Sequence, residues 1–329
     1  MKILVTGGAG FIGSHYVRSL LTGRYPGAAD AEVTVLDKLT YAGNLANLAP
    51  VRADARLAFV EGDILDSRLV DELISAADVV VHFAAESHVD RSILGAADFV
   101  MTNVVGTQTL LDAALRHGLD RFVHVSTDEV YGSIDTGSWS EDQPLRPNSP
   151  YSASKASSDL LALAYATTHG VPVVVTRCSN NYGPYQFPEK VVPLFVTNLL
   201  DGGRVPLYGD GSNVRDWLHV DDHCRAIQLV LEGGRTGQVY NIGGGTELSN
   251  TELTGLLLDA CGAGWDSVDR VEDRKGHDQR YSVDISKISA ELGYQPQLPF
   301  EQGLADTVAW FRDNRAWWEP LKDRAALAR

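Results

Sequence analysis

A doubly wound α/β fold on a parallel sheet, followed by a smaller α/β lobe, is the architecture these 329 residues predict. Three observations lead there. The chain opens on a short apolar strand that runs into a glycine loop and then a helix. Apolar β-branched runs then alternate with helical stretches as far as Arg177. Beyond Arg177 the pattern breaks into turn-rich, aromatic segments and amphipathic helices.

Bulk properties narrow the function. Apolar content of 44% and a charged fraction of 22% are ordinary for a globular protein. A net charge of −15 argues against nucleic-acid binding, which needs a basic footprint. An anionic ligand must then be held locally, by a few arginines and lysines. No apolar run reaches the roughly 18 residues of a membrane span, so no membrane partner is expected. Met1-Lys2-Ile3-Leu4-Val5 enters the glycine loop directly, so no signal peptide is expected. Cys178, Cys224 and Cys261 are odd in number and widely spaced, which fits reduced thiols in a cytoplasmic protein better than disulfides or zinc.

Lys2 to Thr6 reads as the first strand. Gly7, Gly10 and Gly13 follow, with Phe11 and Ile12 opening a helix. Gly7 permits the tight turn, Gly10 lets a pyrophosphate approach the backbone, and Gly13 lets helix and strand pack closely. Between a strand and a helix, this spacing predicts a dinucleotide site. Glu32 to Asp37 is the second strand and ends in an acid 24 residues after Gly13. An acid there accepts from the ribose hydroxyls and repels a 2′-phosphate, so NAD is the expected cofactor; Lys38 weakens that preference slightly. Leu57 to Val60 is a strand ending near Asp63, a candidate for the adenine amino group, although turn formation also explains it. Val79 to Ala85 reads as a fully buried strand whose small exit residues let a cofactor lie against the backbone. Glu86, Ser87, His88, Asp90 and Arg91 form a polar cluster after it. His88 and Asp90 alone do not make a metal site, and none is expected.

Asn103 to His117 reads as a helix. Arg121 to Val125 is a buried strand that delivers Ser126, Thr127, Asp128 and Glu129 at its C-terminal end, where open parallel sheets bind ligands. Neighbours 128 and 129 would face opposite sides of a strict strand, so the chain must leave strand geometry there. Tyr151 and Lys155 are four apart at the head of the next helix, on one face. The helices at 103–117 and 151–165 could pack on one side of the sheet; core packing alone explains their apolar faces, so the pattern leaves dimerisation open. Val171 to Arg177 is a further strand. After the loops, Val220 to Leu231 reads as a helix and Gln238 to Ile242 as a strand rejoining the sheet. The reading therefore divides the chain into a Rossmann-type NAD-binding domain, 1–177 rejoined by about 214–246, and a ligand lobe from 178–213 and 247–329.

The chemistry follows from residue types. A tyrosine has an ordinary pKa of about 10 and is a poor base unless a nearby ammonium, here Lys155, favours the phenolate. Tyr151 can then take a proton from a hydroxyl as hydride leaves for NAD. A simple dehydrogenase needs no second acid–base pair at its centre; a dehydration does, because one group must remove a carbon-bound proton and another must protonate the departing hydroxyl. Asp128 and Glu129 offer that pair, provided that they titrate apart. Thr127 can hydrogen-bond a carbonyl oxygen as charge develops.

These motifs give the chain a clear likeness. It resembles the extended short-chain dehydrogenase/reductase superfamily and, within it, the dTDP-glucose 4,6-dehydratases of bacterial deoxysugar synthesis. The Ser126–Gly132 segment carries most of the discrimination, with Ala85–Ser92 and Asn180–Gln186 matching as well. The resemblance implies that Tyr151, helped by Lys155 and Thr127, supports oxidation at C4 of the glucose, the hydride passing to NAD. Glu129 removes the C5 proton, Asp128 protonates the departing C6 hydroxyl, and the hydride returns to C6. It adds Leu39, Thr40, Ile64, Phe83, Ala84, Ala85, Ser87, Thr102 and Asn181 to the cofactor set. It assigns Ser87, Asn180, Glu189, Lys190 and Val191 to the sugar nucleotide, Pro206, Leu207 and Tyr208 to the base, and Arg215, Asn250, Arg274, His277 and Tyr281 to the diphosphate and nucleoside end. It also implies a homodimer through the two helices. The alternatives are a nucleotide-sugar 4-epimerase, a UDP- or GDP-sugar dehydratase, and, more distantly, a non-catalytic NAD sensor.

Overall fold

The computed structural model describes residues 1–274 and 276–326; Lys275 and the tail closing at Arg329 lie outside them. The strands in chain order are β1 (Lys2–Thr6), β2 (Glu32–Asp37), β3 (Leu57–Glu61), β4 (Val79–His82), β5 (Arg121–Thr127), β6 (Val173–Cys178), β7 (Asn180–Tyr182), β8 (Val205–Tyr208), β9 (Val214–His219), β10 (Val239–Ile242), β11 (Glu247–Ser249) and β12 (Val268–Val271). Seven of them form one sheet in the order β10-β6-β5-β4-β1-β2-β3, every neighbouring pair parallel. The order runs outward in both directions from the β1–β4 boundary. That boundary is a topological switch point, and the crevice beyond its strand ends is where such sheets bind ligands.

The sheet is packed on both faces, and the strand period of two sorts its residues. Val5, Val35, Val81 and Val123 pack with Tyr16, Val17 and Leu20 of the helix Phe11–Leu21 and with Ile227 and Val230 of the helix Val220–Gly233. Leu4, Leu36, Val80 and Phe122 pack on the other face, with Val70, Leu110, Leu111 and Ala162. Each fully buried side chain of this size stabilises by about 1.5–3 kcal/mol relative to exposure. The strand ends that carry the site are therefore fixed on a rigid base.

Two details differ from the sequence reading. β4 stops at His82, because the chain leaves the sheet at Phe83 to run along the crevice. The helix expected at 103–117 begins earlier, at Ala97–Phe99, and passes through a π-helical stretch, Val100–Gly106, before Thr107–His117. The wider turn brings Asn103 into the interior. There its amide exchanges hydrogen bonds with the Glu86 backbone, at 2.9 and 3.0 Å, and donates to Ser154 Oγ at 2.8 Å. One side chain thus ties the crevice loop to the helix Pro150–His169, which carries Tyr151 and Lys155.

The remaining strands form a three-stranded sheet, β11-β9-β7, and a parallel pair, β12-β8. Tyr182, Phe195, Trp217, Leu257, Phe311 and Trp318 form a separate core beneath them. β10 returns to the main sheet beside β6. No helix among the described residues is long and apolar enough to cross a membrane.

Candidate active site

A single cleft of about 640 Å³ runs across the C-terminal ends of β1, β4, β5 and β6 and into the smaller lobe. It is lined by Thr127, Asp128, Glu129, Tyr151 and Lys155 and by every substrate candidate read from the sequence. The cofactor candidates line it too, except Leu39. Leu39 instead sits at φ 53° in the turn after β2, its N–H donating to Asp37 Oδ1 at 2.8 Å.

The end of the cleft nearest β1 and β2 is shaped by backbone. Gly7 adopts φ +70°, and a Cβ there would lie 2.6 Å from the Ala84 nitrogen. A Cβ on Gly13 would lie 2.3 Å from the Gly7 oxygen. Neither position can carry a side chain without moving main chain. The helix start at Phe11 leaves amides without intrahelical partners facing this end, an arrangement suited to a pyrophosphate. Asp37 holds the loop open, accepting from the Ala9 and Leu39 amides at 2.9 and 2.8 Å. Each carboxylate oxygen keeps a lone pair for a ribose hydroxyl. Lys38 is drawn to Asp63 at 2.6 Å, which neutralises the cation beside the ribose position. Glycines with no room for a Cβ, an open helix N-terminus and a strand-end acid together suit a dinucleotide.

At the centre, β5 ends at Thr127 and a tight turn, Asp128–Tyr131, begins, as required for both acids to reach one cavity. Thr127 Oγ1 accepts from the Glu129 amide and donates to Asp128 Oδ1, both at 3.3 Å. Asp128 is 2% exposed, and its Oδ2 has no hydrogen-bond partner among the described residues. Burial pushes the Asp128 carboxyl well above the usual range, and the Glu129 and Asp216 carboxylates push it further. Burial also raises Glu129, but Lys190, Arg215 and Arg274 pull it back. The two adjacent acids are therefore set apart, with Asp128 the one held protonated. Lys155 is buried and donates to the Val125 carbonyl at 2.8 Å. The expected lowering of Tyr151 is reversed: burial raises its phenol well above the ordinary value, and Glu129, Cys178 and the Asp128 acid add to it, while a hydrogen bond with Thr127 opposes them. Burial is the largest of these influences, and the neighbouring acids act in the same direction.

The far end is shaped by side chains from distant segments. Arg215 is 8% exposed and gives its protons to the Val214 and Asp278 carbonyls at 2.7 and 2.9 Å. Its guanidinium stacks over Tyr281, 4.2 Å from the ring centre. It forms no ion pair among the described residues, and neither does Lys190, which donates to the Ser87 carbonyl at 2.6 Å. Two cations without carboxylate partners in one cleft suit an anionic ligand. Arg274 lies over Tyr208, 4.9 Å from its centre, and only 3.5 Å from Asp90. His277 pairs with Asp273 at 2.7 Å. Two contributions had no sequence assignment. Arg91 pairs with Glu189 at 3.1 Å and stacks 3.3 Å above Tyr41, joining the two walls of the cleft. Asn103 braces the Glu86 loop. Arg91 was visible as part of a polar cluster, whereas Asn103 carried no local signal beyond an amide inside a helix.

Comparison with known proteins is consistent with this geometry. The family model for GDP-mannose 4,6 dehydratase matches residues 4–307. The dTDP-glucose 4,6-dehydratase of Streptomyces antibioticus is 68% identical over 327 residues, 99% of this chain and 97% of that protein. The structure of DesIV, a dTDP-glucose 4,6-dehydratase from Streptomyces venezuelae solved with NAD and TYD bound, superposes with a TM-score of 0.97 at 67% identity, covering 98% of this chain and 100% of that one. A UDP-glucose 4-epimerase from Thermotoga maritima, solved with UDP-glucose, has a TM-score of 0.87 at 34% identity, over 96% of this chain and 100% of that one. With a family model spanning most of its length and dehydratase relatives matching it end to end, the chain belongs to the GDP-mannose 4,6 dehydratase family, on the branch of the dTDP-glucose 4,6-dehydratases.

Proposed function

We propose that the protein is an NAD-dependent hydro-lyase that converts dTDP-glucose to dTDP-4-keto-6-deoxyglucose and water. The observation that carries this reading is the pair of buried acids, Asp128 and Glu129, in unlike electrostatic surroundings beside Tyr151. Bound NAD accepts hydride from C4 early in the turnover and supplies it to C6 at the end. Tyr151 receives the C4 hydroxyl proton as its phenolate, a form that burial disfavours and that the positive charge of an oxidised nicotinamide bound beside it would favour, and Thr127 hydrogen-bonds the oxygen on which charge changes. Oxidation at C4 acidifies the C5 proton, which Glu129 removes. Asp128, held protonated by burial, donates to the C6 hydroxyl as it leaves as water. Arg215 and Lys190 meet the diphosphate and sugar, with Ser87, Asn180 and Glu189 beside the hexose. Pro206, Leu207 and Tyr208 form the base platform, and Asn250, Arg274, His277 and Tyr281 close the nucleoside end. Segments 178–213 and 247–329 act as the sugar-nucleotide lobe on the NAD-binding domain.

The same reading makes the protein a cytoplasmic homodimer. Supporting it, Leu94, Val100, Met101 and Leu160 are exposed along the helices that run beside one another at 89–117 and 150–169. Exposed apolar side chains on packed neighbouring helices are what contact with another chain would cover. The test of the activity is to incubate purified protein with dTDP-glucose and no added cofactor. Loss of one water from the sugar nucleotide, with base-labile absorbance of the ketone, is expected. A protein that holds NAD yet yields only a 4-epimer, or no product, contradicts the proposal.

A further inference from the structure

Behind the cofactor end of the cleft, the helix Val220–Gly233 buries His223 completely. Its Nδ1 lies 2.9 Å from Oδ1 of Asn181. The Asn181 amide is oriented by a second contact, since its Nδ2 donates to the Ser179 carbonyl at 3.0 Å. The oxygen therefore faces His223 and accepts, and Nδ1 of His223 must carry the proton. Burial holds the ring neutral, its pKa lowered to about 3, so this one tautomer persists over the working pH range. Nε2 is left a bare acceptor with no hydrogen-bond partner among the described residues. Leaving a buried ring nitrogen unpaired is costly. A histidine kept at that cost points to a task for its single N–H.

That task lies at Asn181. The residue sits in β7, just beyond β6, and lines the cleft beside Cys178 and Ser179. Its backbone carbonyl is also taken, by Gln186 Nε2 at 2.8 Å. The carboxamide is thus held at two points and the backbone at a third, which leaves for a ligand the second lone pair of Oδ1 and the N–H that otherwise meets only the weakly accepting Cys178 sulfur at 3.4 Å. We propose that His223 is a positioning residue for the cofactor: its Nδ1–H fixes the Asn181 carboxamide in the orientation that grips bound NAD, and so sets how long the cofactor is retained between turnovers. This rests on the reading of the cleft as an NAD site. His223 touches neither cofactor nor substrate and acts only through Asn181.

The side-chain amide of an asparagine can place an N–H close to where imidazole carries Nδ1, whereas glutamine places it near Nε2, and leucine has none. NAD release is measured on holoprotein by filtration and assay of the freed cofactor, a readout independent of turnover. His223→Leu and His223→Gln should speed release at least tenfold, His223→Asn should restore it to within about threefold of the wild type, and Asn181→Leu should match His223→Leu, with no further change in the double variant. If His223→Leu does not fold, as judged by circular dichroism, the Gln and Asn variants decide. Release that is the same in His223→Gln as in the wild type, or as fast in His223→Asn as in His223→Gln, overturns the proposal. A folded wild type that holds no NAD overturns both this inference and the cofactor reading beneath it.

Discussion

The two ends of the cleft are built by different means. The cofactor end is made of main chain: glycines that exclude a Cβ, an open helix start and strand ends fixed by a core packed on both faces of the sheet. The sugar-nucleotide end is made of long side chains converging from β9, the segment after β12, and the turn after β7. A dinucleotide bound throughout the cycle suits a rigid backbone mould. A substrate that must arrive, react and leave suits cations whose charge is unspent and whose contacts are reversible. In between, at Asp128 and Glu129, both logics meet: the backbone turn places the acids, and side-chain charges from the far end separate their proton affinities.

The largest expected effect comes from that meeting point. Asp128→Asn combined with Glu129→Gln should slow water loss by about 10³-fold, in line with general acid–base contributions. Oxidation at C4 should survive, seen as reduced cofactor accumulating on the enzyme. Normal dehydration by this variant would remove both acids from the mechanism. The far end is tested by Arg215→Gln. Losing a buried, charge-assisted contact to a diphosphate should raise KM for dTDP-glucose by about 100-fold. NAD content should be unaffected, and a joint loss of both ligands would erase the contrast between the two ends.

A smaller change is expected at the cofactor end. Asp37→Ala should lower the preference for NAD over NADP by about tenfold, the worth of one hydrogen bond to a carboxylate. Competition binding of the two cofactors checks it, and an unchanged ratio would place the ribose elsewhere. The gentlest effect is on pH. Burial lowers His219 from 6.5 to about 4 and His223 from 6.5 to about 3. Below pH about 6.5 the unfolded chain binds protons that the folded one refuses, so stability falls with falling pH toward those values, by up to about 1.4 kcal/mol per pH unit for each ring. Denaturant unfolding at neutral and mildly acidic pH should show that loss, and His223→Asn should reduce its slope. Stability independent of pH across that window would mean that the rings are not buried neutral.

The contrast also explains what could be seen in the sequence. Gly7, Gly10, Gly13 and Asp37 act through local conformation, so spacing along the chain reveals them. The exit from β5 was legible because two adjacent acids cannot share a face of a strand. Tyr151 and Lys155 were legible through the helical period. By contrast, the unpaired state of Arg215 depends on carbonyls at Val214 and Asp278, which meet only when β9 packs against a segment more than sixty residues later. The bracing by Asn103 depends on a π-helical turn that no periodicity announces. The direction of the Tyr151 shift was misjudged because it depends on a balance. In the folded protein burial acts first and the Glu129 and Asp128 acids add to it, whereas spacing in sequence showed only the lysine.

The central claim is that one site oxidises, eliminates and reduces within a single closed cycle. Its most direct test follows the hydrogen itself. dTDP-glucose carrying deuterium at C4 is turned over by the purified protein in ordinary water, and the product is examined by NMR and mass spectrometry. The account predicts deuterium at C6 of the 4-keto-6-deoxy sugar and a proton from solvent at C5. Deuterium lost to solvent, or retained at C4, would contradict it.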